Sequence, residues 1–211
     1  MMKINQKMND IFVFLDKYYP DAKCGLIYSK DYELLIAVML SAQTTDVSVN
    51  KVTAILFNKY PTLEALDNAS FEDIKKCIAS IGLANNKAHN IKGITHLLLT
   101  KFDGKVPNNE QDLLSLPGVG NKTKNCIESE IFNVPMLAVD THVQRISKRL
   151  KLVKDNDSVE LMEKKLLKLI PKERLIKTNH QIIWFGRTIC KAKNPNCEQC
   201  QLQKYCKNYL K

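Results

Sequence analysis

The stretch Leu116-Pro117-Gly118-Val119-Gly120-Asn121-Lys122 leaves a chain of this kind few ways to fold. Proline is excluded from a helix interior, and two glycines one residue apart permit backbone angles closed to other residues. Apolar Leu113, Leu114 and Leu116 precede the turn. Thr123, Cys126, Ile127, Ile131 and Val134 follow it at the three-four spacing of a helix. Residues 108–132 therefore read as a short helix, a tight hairpin and a second helix beginning near Asn121. Such a hairpin aims backbone N–H groups at one point, with the positive end of the second helix behind them, which suits a phosphate. The competing reading is a plain interhelical turn.

The segments around the hairpin carry helical periodicity, and few alternate as strands do, so the fold class is all-α. Ile4, Met8, Ile11, Phe12, Leu15 and Tyr18 form one stripe, ended by Pro20. Asp31 is placed to cap a second helix, whose all-round apolar surface implies burial. The polar break Ser41-Ala42-Gln43-Thr44-Thr45-Asp46 follows, with Thr45, Thr62 and Ser70 as caps of the next three helices and the third of these reaching Ile81. Gly82 ends that helix, Lys87 to Phe102 forms another, and the hairpin unit comes next. Beyond it, Asp140-Thr141-His142 opens a helix, and Leu161, Leu166, Leu167 and Ile170 mark one closed by Pro171. A last helix runs through Ile182, Ile183, Phe185 and Ile189.

A net charge of +10 points to a polyanionic partner. It does not separate nucleic acid from an acidic membrane surface. Met1 to Asp10 is polar with no leading apolar core, so no signal peptide is read there and the expected compartment is the cytoplasm. In that compartment seven cysteines do not form a disulfide framework. Four of them, Cys190, Cys197, Cys200 and Cys206, crowd into one short tail with six, two and five residues between them. Such clustering of soft thiolates fits zinc or an iron–sulfur cluster, and spacing alone leans to zinc. Lys191, Lys193, Lys204 and Lys207 make the same loop basic. Cys24, Cys77 and Cys126 sit in apolar company and read as core.

Taken together, the hairpin with Lys122, the run Val139-Asp140-Thr141-His142 and the four-cysteine tail resemble the endonuclease III family of helix-hairpin-helix DNA glycosylases and abasic-site lyases. The likeness covers essentially the whole chain. It includes Ser41 to Asp46, Ile81-Gly82-Leu83, Lys87-Ala88 and Gly186-Arg187. It implies two lobes with the DNA site between them: a six-helix block over residues 24–134, and an iron–sulfur lobe from residues 1–23 and 135–211. It also implies that the four cysteines hold a [4Fe-4S] cluster, overriding the lean to zinc. The implied partner is double-stranded DNA with damaged bases or abasic sites, engaged by a monomer.

The resemblance implies removal of oxidised pyrimidines and cleavage of the abasic site. Lys122 would attack C1′ of the sugar, from the positive end of a helix that disfavours its charge. Asp140 would accept a proton and stabilise the cationic sugar, although Asp at this position also fits a helix N-cap. Gln43, Ile81 and Leu83 match positions that wedge into the duplex when a base is flipped out, and equally fit a loop amide and two helix-end core residues. Gly118, Val119 and Gly120 would hold the backbone, and His142 would contact DNA or support the site. Lys124, Glu128 and Glu130 depart from the family's apolar or small residues, and Lys124 and Glu128 are spaced to pair. Ala84 replaces an aromatic and Gln201 a proline. The related adenine-specific mismatch glycosylases use a glutamate where this chain has Ala37. A DNA-binding module without chemistry leaves Lys122 and Asp140 unexplained, and an electron carrier leaves the hairpin unexplained.

Overall fold

A computed structural model describes residues 2–209, with side chains from residue 4 onward. Among the described residues there are eleven α-helices, three short 3-10 turns and no strand. The chain divides into two compact units. One is Gly25–Phe132. The other joins the described residues up to Cys24 to those from Asn133 onward.

Gly25–Phe132 contains α2 (Asp31–Leu40), α3 (Asp46–Lys59), α4 (Leu63–Asn68), α5 (Phe71–Cys77), α6 (Ala84–Lys101), α7 (Glu110–Ser115) and α8 (Asn121–Glu130). Seven helices stand where the resemblance implied six, because extended Ala69 separates the short α4 from α5. The apolar surface of α2 is explained by its place. Leu34, Leu35, Ile36, Ala37 and Leu40 are wholly buried, and α2 packs against α3, α6 and α8. Each fully buried aliphatic side chain of this kind contributes roughly 1.5–3 kcal/mol.

Thr45, Thr62 and Ser70 cap α3, α4 and α5, each accepting a backbone N–H with its hydroxyl oxygen. Asp31 does not cap α2. It lies within the first turn, and Glu33 instead reaches back to accept the N–H groups of Ser29 (2.7 Å) and Lys30 (3.3 Å). α5 stops at Cys77, before Ile81, and α6 starts at Ala84, three residues earlier than expected. The reversal between them falls on Leu83, with φ +61°, while Gly82 does not have a positive φ.

The second unit holds α1 (Met2–Tyr18), α9 (Thr141–Arg149), α10 (Val159–Leu169) and α11 (Leu175–Thr188). α11 packs on α1 and on α9. The face of α1 that enters the core is Met8, Ile11, Phe14 and Leu15. Tyr18, read as part of the stripe, is 39% exposed. Phe14 lies edge-on to Phe185 at 5.1 Å between ring centroids, a favoured aromatic geometry. Asp16, on the polar side of α1, accepts from Arg174 (2.8 Å), Lys177 (3.1 Å) and Gln181 (3.0 Å). In α10 the core residues are Met162 and Leu166, and Leu161 faces outward. Gly186 allows α9 and α11 to approach: a Cβ there would collide with His142, Arg145 and Ile146. Cys24, Cys77 and Cys126 are half-buried rather than core residues.

Candidate active site

The hairpin lies between α7 and α8. Val119 donates its N–H to the Leu116 carbonyl (3.2 Å), closing a turn with Pro117 and Gly118 at its centre. Gly118 has φ +74°, so the pair follows the type II pattern. Only Gly118 needs to be glycine for its backbone. Gly120 is extended, at φ −106° and ψ −178°, an angle open to any residue. Their surroundings also differ. A Cβ on Gly118 would run into Asn90 and Met39, and one on Gly93 of α6 would meet Pro117. A Cβ on Gly120 meets nothing within 4 Å, so the open side of the turn lies there. Val119 is buried at 8% exposure and its N–H is used within the turn.

Lys122 stands on the first turn of α8 and is exposed. The first N–H groups of that helix lack intrahelical partners and present a positive end to the solvent side. The charged residues deeper in α8 find partners: Lys124 pairs with Glu110 (3.2 Å) and with Glu128 (3.7 Å). The expected pairing across the helix face is therefore present, with a third member from α7.

Of the three wedge candidates, two are presented outward. Gln43 is exposed with φ +55°, and Leu83 is 56% exposed. Non-glycine residues seldom adopt this left-handed region, and when they do it often accompanies a functional site. Ile81, at 5% exposure, lies in the core as its ordinary reading had it.

In the other unit, Asp140 is the N-cap of α9. Its Oδ1 accepts the N–H groups of His142 and Val143, both at 2.9 Å. Its Oδ2 lies 2.8 Å from His142 Nδ1. The capping role is thus real, and the imidazole fixes the second oxygen. Asn179 donates to the Ala138 carbonyl (3.1 Å), tying the strand-like approach to Asp140 to α11.

The four cysteines of the tail surround one cavity of about 360 Å³, measured out into solvent, and none forms a disulfide. Among the described residues, no three His, Cys, Asp or Glu side chains converge as they would on a single ion. Thiols spread around a cavity suit a polynuclear cluster, which takes one thiolate at each iron, better than one tetrahedral zinc. Burial pushes the Cys200 thiol up to about 11. Burial also raises Cys190, against the opposing pull of Arg149. Ligation therefore has to release protons.

Arg149 organises this loop. It donates to the carbonyls of Lys191 (2.8 Å) and Ala192 (3.2 Å) and to Cys190 Sγ (3.2 Å), while its own carbonyl accepts the N–H of Lys207 (2.8 Å). The basic character of the loop is narrower than composition implied. Lys204 pairs with Asp10 (2.7 Å) while staying exposed and Lys207 pairs with Asp155; Lys191 and Lys193 are exposed as well.

Residues 36–172 match the HhH-GPD superfamily of base excision DNA repair proteins, and residues 190–206 match the iron–sulfur binding domain of endonuclease III. Endonuclease III of Rickettsia felis is 45% identical over 204 residues, covering 97% of this chain and 95% of that protein. The chain belongs to the endonuclease III family. Endonuclease III of Bacillus subtilis is likewise 45% identical, over 90% of this chain and 86% of its own length. A solved structure described as a trapped endonuclease III–DNA covalent intermediate, an estranged-adenine complex, superposes with a TM-score of 0.93. It is 46% identical and covers 98% of this chain and 97% of that one.

As a member of the family, the protein is a base excision repair enzyme, a DNA glycosylase and abasic-site lyase with a [4Fe-4S] cluster. The expected fold class, family, activity and cofactor all hold. Sequence reasoning passed over Asn90, Gly93 and Arg149. Each supports a site element from another helix, and helical spacing alone carries no sign of such contacts. Arg149 left one signal, as an arginine at the end of the helix that Asp140 opens.

Proposed function

We propose that Lys122 is the nucleophile of this enzyme and Asp140 its carboxylate, acting on duplex DNA that carries oxidised pyrimidines or abasic sites. The observation that carries the reading is the exposed amine of Lys122 on the first turn of α8, two residues beyond the open side of the hairpin at Gly120. A family relative described as a trapped covalent intermediate with DNA supports it.

In this reading the unprotonated amine adds to C1′ as the N-glycosidic bond breaks, and the base leaves with the bonding electrons and takes up a proton. Asp140, held rigid by two N–H groups and His142, carries negative charge toward the sugar as positive charge develops there. The amine and the opened sugar then form a Schiff base. Loss of a C2′ proton expels the 3′-phosphate, and hydrolysis restores Lys122. Gln43 and Leu83 fill the gap left by the flipped nucleotide, while Gly118 and Gly120 let the DNA backbone come close. Cys190, Cys197, Cys200 and Cys206 hold the cluster, which shapes the loop bearing Lys191 and Lys193 and takes no part in base excision. No described helix is long and apolar enough to cross a membrane, and a chromosomal substrate puts the work of the enzyme in the cytoplasm.

The test is borohydride reduction during incubation with duplex DNA containing thymine glycol or an abasic site. A covalent protein–DNA adduct is expected, and Lys122→Ala is expected to abolish it while retaining DNA binding. An adduct that persists in Lys122→Ala would assign the amine elsewhere.

A further inference from the structure

Two lysines are buried in Gly25–Phe132. Lys124 faces carboxylates, but Lys87, at 4% exposure, has neutral partners: its Nζ donates to the Ala42 carbonyl (3.0 Å) and to Thr44 Oγ1 (2.8 Å). A cation withdrawn from water without a counter-charge is a poor device for stability, and burial lowers the pKa of this amine. What it does hold is specific. The two acceptors flank Gln43, which is exposed and has φ +55°. The backbone N–H of Lys87 donates to the carbonyl of Leu83 (3.0 Å), which is exposed and has φ +61°. One residue therefore holds the two neighbours of Gln43 through its side chain and Leu83 itself through its main chain.

We propose that Lys87 is a positioning residue that fixes Gln43 and Leu83 relative to each other, so that they enter the duplex as a single preformed wedge. The proposal rests on the assignment of those two residues to gap filling. Lys87 itself touches neither sugar nor base. Its effect is confined to the step that opens the duplex, and the chemistry at Lys122 is left intact.

The holoenzyme variants Lys87→Met, Gln43→Ala and the double variant are compared in single-turnover excision of thymine glycol from duplex DNA. Each is also compared in borohydride trapping on a single-stranded abasic oligonucleotide, which needs no duplex opening. Lys87→Met is expected to slow duplex excision by about 10- to 100-fold, the scale of a small misplacement, with single-strand trapping unchanged. Added to Gln43→Ala, it is expected to cause little further loss, because the two act through one element. Lys87→Arg, which keeps the charge and donors, is expected to recover part of the rate.

Equal losses on both substrates would make Lys87 a structural residue only, and additive losses would make it independent of Gln43. Either result overturns the proposal. Should Gln43→Ala alone leave duplex excision untouched, the gap-filling assignment falls and the proposal with it. If Gln43→Ala is impaired and Lys87→Met is not, only the proposal falls. Where Lys87→Met does not fold, Thr44→Val removes one acceptor from the loop side and is expected to show the same selective loss. A Thr44→Val enzyme with full duplex activity would then overturn it.

Discussion

Asp140 shows how one side chain serves two ends. One oxygen satisfies two N–H groups at the start of α9, and the other is held by His142. Asparagine retains an acceptor for the cap but not the charge, so the two roles can be separated. Asp140→Asn is expected to change stability little while excision falls by about 10²–10³, the usual cost of removing one electrostatic stabiliser. Asp140→Ala should lose the same activity and about 1 kcal/mol of stability as well. Thermal unfolding and single-turnover excision, measured on both variants, read the two losses. An Asp140→Asn enzyme with full activity would reduce the residue to a cap. The cap was legible in the sequence, because an Asp before Thr-His at a helix start invites it, whereas the proposed catalytic role came from the family resemblance. The His142 contact to the second oxygen was not legible, since residues two apart on a helix do not ordinarily face each other. The cap position bends the chain enough to allow it.

At the scale of elements, α6 is an alignment rail. Leu83 precedes it, Lys87 grips the turn around Gln43, Asn90 lies beneath Gly118, and Gly93 makes room for Pro117. These positions recur every three to four residues, so one face of one helix sets the heights of the Gln43 turn and the hairpin. The hairpin's two glycines should accordingly respond differently to an added methyl. Gly118→Ala meets Asn90 and Met39 at a positive φ and should cost about 1–3 kcal/mol, along with DNA affinity. Gly120→Ala has open space and an ordinary backbone, so its stability should stay within about 0.5 kcal/mol. Any loss of DNA affinity there then measures how closely a phosphate approaches. Denaturant melts and affinity for an abasic-site analogue decide both. Equal destabilisation by the two alanines would contradict the assignment. The helices flanking this turn were legible from Pro, Gly and apolar spacing. The division of labour between the glycines was not, because it depends on what α6 puts beneath one of them.

For the molecule as a whole, α1 is the element joined across the greatest length of chain. Its apolar face packs with α11, and its Asp16 accepts from Arg174, Lys177 and Gln181. Partial burial alone would raise the Asp16 carboxyl, but the hydrogen bonds from Gln181, Arg174 and Lys177 outweigh it and hold it at about 2. That lies below the ordinary value near 3.9 of an unfolded chain. The stabilising contribution is therefore complete above about pH 4 and is lost as pH falls through about 2. Asp16→Asn is expected to melt below the parent at pH 7, with the gap closing as the pH approaches 2. A gap that stayed constant with pH would mean the charge contributes nothing. The helical class was legible throughout, since nearly every segment carries its own period and caps. The true core face of α1 was not: Phe14 and Tyr18 both suit a helical stripe, and only the arrival of Phe185 favours the first. That arrival has a cost in time. α1 leaves the ribosome with Phe14 and Leu15 bare, and Gly25–Phe132 must follow before α11 exists. At about 5–20 residues per second the wait is roughly ten to thirty seconds. α1 is thus made long before the helix it docks on, and for that interval its apolar face is left without that cover.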